Sequence, residues 1–265
     1  MHRTRHIAAL IVLALSLMTV SACRHRHHNH EEISLQDAQR RASDRVAWVL
    51  DDLDATDQQE ARITTLVREL VAEGYPLREL RKPAREALLR ELLSGKPEPG
   101  AVHGTVDGVA APLTAFAHKA ATTALTAHGV LDAKQREESA EEWEERAADR
   151  RSIRDREWML DAGLERGLNR IDASEAQFKL VFSLKDELLK DVEGLEAVRD
   201  AASGALIAQL RSDTPDARLI HATVDKAAGA LTAFAHKAAD AAVTVSRTLS
   251  EEQRRVILAE LKDRK

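Results

Sequence analysis

Between residue 35 and the C-terminus, apolar side chains return every three or four positions. Val46, Val49, Leu50 and Leu53 make one such series, and Ile63, Leu66, Val67 and Leu70 make the next. This spacing gathers the apolar residues on one face of an α-helix. No segment alternates apolar and polar residues over a strand's length between turn residues, so the pattern predicts helices and no strands. Breaks are expected near Asp54-Ala55, Gly74-Tyr75-Pro76, Ser94 to Gly100 and Gly129-Val130, then near Asp172, Gly194, Ser212 to Pro215 and Thr248. Pro83 and Pro112 predict a helix start or kink, because proline removes a backbone donor. Ala133 to Arg170 has no Pro, few Gly and many Glu and Arg, and predicts one nearly continuous helix of about 55 Å. Its stretch Arg136 to Arg156 reads as a solvated helix anchored on one side by Trp143 and Trp158.

The helical region is one module written twice. A shift of 118 residues aligns its halves without a gap, and His103 to Ala121 matches His221 to Ala239 at 14 of 19 positions. The expected domains are 34–147 and 148–265. Each module carries two helix starts with one grammar: Thr56 with Gln59, Asp132 with Gln135, Ser174 with Gln177 and Ser250 with Gln253. An N-cap oxygen three residues before a glutamine forms a capping box. The cap oxygen accepts an orphan amide, and the glutamine returns a bond to the cap's own N–H.

The N-terminus obeys a different pattern. Arg3 and Arg5 precede an apolar run of 12 residues from Ile7 to Met18, then small residues up to Cys23. That is the layout of a signal peptide over residues 1–22, and the run is too short to span a bilayer. Val20-Ser21-Ala22-Cys23 resembles the bacterial lipobox, which implies lipidation of Cys23 and a periplasmic lipoprotein. Arg24 in the next position favours the outer membrane. The sole cysteine excludes internal disulfides and multi-thiolate metal sites. Residues 23–33 form a tether holding His25, His27, His28 and His30, a tract that either binds a divalent transition metal such as zinc or serves as a polar spacer.

Composition narrows the classes further. Charged residues make up 31% of the chain and aromatic residues 3%, with a formal net charge of −5. Few aromatics disfavour a β-sandwich or barrel, and the acidity argues against a nucleic-acid binder, which needs a basic face.

A Leu-Thr-x-x-Gln type motif twice per helical module, behind an export signal, resembles the Spy/CpxP family. Leu249 to Arg255 is the nearest match and Leu131 to Gln135 the next, while Ala55 and Ala173 replace Leu in the other two copies. The resemblance implies an all-α fold in which two modules form a curved helical cradle, here an internal pseudo-dimer or a homodimer. It also implies an ATP-independent periplasmic chaperone or envelope-stress factor that binds unfolded envelope proteins and requires no cofactor. The rival expectation is a periplasmic metal sensor or buffer for zinc, nickel or copper, built on the histidine tract. A third is a membrane-tethered adaptor with one fixed partner.

Catalytic motifs do not emerge. The chain lacks a Gly-rich phosphate loop, a Gly-x-Ser-x-Gly elbow and a His-Glu-x-x-His pair, so an enzyme is not expected. His103 with Asp107, and His221 with Asp225, sit at i, i+4 on one helix face. They read either as metal ligands, with Asp orienting His, or as plain hydrogen-bonded pairs. His118 and His236 lie too far along the same helices to complete those pairs unless a second helix brings them near, and they read otherwise as packing residues beside Phe116 and Phe234. Val106, Val109, Leu113, Phe116 and Ala120 form an apolar stripe expected to be mostly core.

Overall fold

The computed structural model describes residues 33–149, 152 and 157–263. Cys23 and the His25, His27, His28 and His30 tract lie outside them. The described chain is all-helical: α1 (Leu35–Asp52), α2 (Asp57–Gly74), a 3-10 segment (Tyr75–Leu80), α3 (Arg81–Leu92), α4 (Pro99–His128), α5 (Ala133–Ala148), α6 (Glu157–Arg170), α7 (Glu175–Arg211), α8 (Ala217–Thr248) and α9 (Glu251–Asp263). No helix among these residues is long and apolar enough to cross a membrane.

The chain divides into two compact units, and each takes helices from both repeats. The first comprises the chain to Glu79, Ala111–Arg150 and Asp200–Ala227; the second comprises Leu80–Ala110, Arg151–Arg199 and Ala228–Lys265.

In the first unit, α1 and α2 form a hairpin. Ala42, Val46, Val49, Leu50 and Leu53 of α1 and its cap bury against Ile63 and Val67, with Ala55, Ala127, Val130 and Leu131 closing the cluster. The turn is a Schellman motif: Ala55 N–H donates to Leu50 O at 2.9 Å and Asp54 N–H to Asp51 O at 3.1 Å. The motif requires a left-handed residue, and Asp54 takes φ 50°. Phe116 buries beside Leu70 and Ala120. Its ring lies so close to Gly74 that a Cβ there would sit 2.7 Å from two ring carbons.

The second unit packs Val102, Ala239 and Val243 with Leu88, Leu92 and Val106. Ser246 Oγ donates to Leu92 O, and Arg247 donates to Pro97 O at 3.2 Å, so the end of α8 is tied to the α3–α4 connection. Its turn between α6 and α7 repeats the Schellman geometry, with Ala173 N–H on Leu168 O at 3.0 Å and Asp172 N–H on Asn169 O at 3.2 Å. Asp172 takes φ 49°, matching Asp54 across the repeat. Lys185 of α7 reaches Asp161 at 2.7 Å and Glu157 at 3.0 Å on α6.

Three expectations need correction. Ala133 to Arg170 is not one helix: α5 ends at Ala148, and Asp149, whose N–H returns to Ala147 and Glu145, caps it. Helix propensity over that stretch yields to the packing of α5 onto the end of α7. That packing buries Trp143 with Ala140, Ile207 and Leu210 as the expected anchor, whereas Trp158, expected to anchor the same side, is 69% exposed. Gly194 does not break its helix, since α7 runs through it for 37 residues. The equivalent of Gly194 in the first repeat is Pro76, inside the 3-10 segment. A glycine only weakens a helix, whereas a proline removes a backbone donor and so breaks the hydrogen-bond ladder.

Candidate functional site

Each of the four capping motifs closes on itself. Gln59 N–H donates to Thr56 Oγ1 at 3.3 Å while Thr56 N–H donates to Gln59 Oε1 at 2.9 Å. Asp132 and Gln135 exchange the same pair at 2.9 and 3.0 Å. Ser174 with Gln177 exchange theirs at 3.3 and 2.8 Å, and Ser250 with Gln253 at 3.1 and 2.9 Å.

The glutamines then pair with one another, which the local motif does not announce. In the first unit Gln59 Nε2 donates to Gln135 Oε1 at 2.9 Å and Gln135 Nε2 returns a bond to Gln59 Oε1 at 3.3 Å. The remaining amide protons go to Val130 O at 2.9 Å and Leu53 O at 3.2 Å. In the second unit Gln177 and Gln253 repeat the exchange at 2.9 and 3.0 Å, with further bonds to Thr248 O and Asp172 O. Only a primary amide both gives and accepts in this way, so the clasp selects glutamine over glutamate. The signal that could have revealed it is the separation of 76 residues between paired glutamines in both repeats.

The histidines are brought together across helices rather than along them. In the second unit, His103 Nε2 meets Asp240 Oδ1 at 2.8 Å and His236 Nε2 meets Asp107 Oδ1 at 2.8 Å. As numbers rise on α4 they fall on α8, so these segments run antiparallel. The two imidazoles stack with centroids 4.6 Å apart and planes 6° apart. In the first unit, His118 Nε2 meets Asp225 Oδ1 at 2.8 Å, and His118 Nδ1 faces His221 Nδ1 at 2.9 Å. His103 and Asp107 therefore take partners from α8, and Asp225 takes His118 from α4. Asp240, missing from the sequence reading, corresponds to Thr122 in the other repeat. Among the described residues, no group of three or more His, Cys, Asp or Glu side chains is placed to hold a metal ion.

The first unit also contains an apolar pocket, open to solvent, with a cavity volume of ≈ 70 Å³. Ala117, Ala120, Ala121, Ala124 and Leu125 of α4 line one side; Trp143, Leu206, Leu210, Ile220 and Val224 line the others, with His128, Gln209 and Pro215. Small alanines on α4 create the space. The repeat equivalents of Ala121, Leu125, Leu206, Leu210, Ile220 and Val224 are Ala239, Val243, Leu88, Leu92, Val102 and Val106. In the second unit those six residues pack together, and Val102 is 1% exposed.

Polar groups border the pocket residues in sequence. His128 Nε2 donates to Ser212 O at 2.9 Å. Its burial, and then the Arg136 charge, hold the imidazole below its ordinary pKa. Arg211, next to Leu210, grips Glu144 through two bonds of 2.6 and 2.9 Å and Glu137 through one of 2.9 Å, which raises the guanidinium pKa. Arg136 pairs with Asp213. Comparison with known proteins gives no match to this chain, whether among family models, curated proteins or solved structures.

Proposed function

We propose that the protein is a lipid-anchored envelope holdase: an ATP-independent binder of unfolded polypeptides, tethered through Cys23 to the outer membrane and facing the periplasm. The observation that carries this reading is the open apolar pocket of the first unit. An apolar concavity flanked by charged pairs suits weak capture of exposed Leu, Val or aromatic side chains of a client. Exposed Trp158, Met159, Leu160, Leu219 and Leu231 add scattered apolar contacts. The sharing of both repeats by each compact unit supports a single-chain pseudo-dimer.

The test is aggregation of a denatured model protein in the presence of the chain lacking its first 22 residues, run in chelator and then in zinc. Suppression at near-stoichiometric amounts in chelator is expected, and Ala124→Trp, which fills the pocket, should reduce it several-fold. Absence of suppression in chelator would overturn the reading. The rival, a metal buffer or sensor using His25, His27, His28 and His30, gains support from the facing imidazoles of His118 and His221. It predicts a zinc-dependent rise in melting temperature that vanishes when the four tract histidines become alanine.

A further inference from the structure

We infer that His118 and His221 form a two-histidine site for an imidazole-preferring divalent transition metal, with Asp225 fixing one ligand from behind. Two Nδ1 atoms face each other at 2.9 Å, and His118 presents its Nε2 to the Asp225 carboxylate at 2.8 Å. A carboxylate only accepts, so in the neutral imidazole the His118 proton sits on Nε2 and its Nδ1 offers a lone pair. The His221 Nδ1 must then spend its proton on that lone pair. A metal ion in place of the proton uses both lone pairs, and His221 moves its own proton to Nε2.

The geometry needs little change. With metal–nitrogen bonds of about 2.0–2.1 Å and tetrahedral angles, the two nitrogens would stand about 3.3 Å apart, roughly 0.4 Å wider than in the structure. The carboxylate on the far nitrogen of His118 is the arrangement that sets tautomer and ring orientation in histidine metal sites. The His118 side chain is 31% exposed, so solvent can complete the coordination sphere. Two protein ligands fall short of a three-residue cage, in keeping with the absence of one among the described residues. Imidazole donors favour zinc, nickel or copper over magnesium or calcium.

The other repeat shows what distinguishes this pair. There both Nε2 atoms are held by carboxylates, Asp240 and Asp107, and the rings stack at 6°. In the first unit the place of Asp240 belongs to Thr122, whose hydroxyl donates to His118 O, and the rings tilt by 28° with nitrogens facing. One substitution between the repeats separates a pinned pair from a pair that can share an ion.

This inference goes beyond the holdase reading, which the chelator arm of the aggregation assay tests separately. The experiment uses the full chain carrying H25A, H27A, H28A and H30A, which silences the N-terminal tract. Zinc is added and followed by calorimetry and by the side-chain ¹⁵N signals of the remaining histidines. One zinc ion per chain is expected, with the Nδ1 signals of His118 and His221 shifting and those of His103 and His236 unmoved. His221→Asn should abolish binding, His103→Asn should retain it, and Thr122→Asp should weaken it at least tenfold. No bound zinc, or shifts confined to other histidines, would overturn the site even where a variant fails to fold. An ion that survives His221→Asn in a folded protein would also overturn it.

Discussion

At the scale of single residues, the glutamine clasp explains why the same residue recurs at four helix starts. Gln135 is 4% exposed and donates both to Leu53 O and to Gln59 Oε1. Gln135→Glu removes both donors and sets a carboxylate against two oxygens. We expect a loss of about 2–4 kcal/mol, from the cost of buried unsatisfied groups, read by urea unfolding. Gln135→Ala should cost less than the glutamate, because it leaves no buried charge. Gly74 makes a second residue-scale prediction. Its side of the helix touches the Phe116 ring, so Gly74→Ala should destabilise by about 1–3 kcal/mol despite the better helix propensity of alanine. The double variant with Phe116→Leu should recover part of that loss. His128 gives a pH dependence. Its native pKa is held down, so the unfolded chain takes up a proton more readily as pH falls through about 6.5. Stability is then full above that range and declines below it. Melting temperatures between pH 7.5 and 5.5 should slope less steeply in His128→Gln.

At the scale of elements, what could be read from the sequence was what is local. The helix starts at Thr56, Asp132, Ser174 and Ser250 follow from three-residue spacing, and the α1 and α2 faces follow from apolar periodicity. The all-helical class follows from the same period. What the sequence concealed depends on partners far along the chain. The i, i+4 placement of His103 and Asp107 suggested contact along one helix, yet their partners lie 137 and 129 residues away on α8. The tract after Asp132 has helical propensity throughout, and nothing local signals that α5 stops at Ala148. Asp54 and Asp172 show how an element ends: both occupy the left-handed conformation at a Schellman turn. Asp54→Gly should leave stability unchanged or slightly higher. Asp54→Val should cost about 1–2 kcal/mol, because a β-branched side chain fits that conformation poorly.

At the scale of the whole molecule, duplication has produced two units with common fastenings and different interiors. Both hold a glutamine clasp and a histidine pair; the second packs the Val102, Ala239 and Val243 cluster, and the first carries the pocket beside Leu210 and Ile220. A duplicated chain can keep one copy of a feature for stability and let the other turn to binding. The pocket carries its own reporter, since Trp143 lines it. The decisive measurement is therefore the fluorescence of Trp143 in a chain whose other tryptophans, Trp48 and Trp158, are replaced by Phe, titrated with an unfolded client in chelator. A saturable change in Trp143 emission is expected over the same client concentrations that are protected from aggregation, and loss of both in Ala124→Trp once its added indole signal is subtracted. Protection from aggregation with Trp143 emission unchanged would contradict the assignment of the pocket as the place where clients are held.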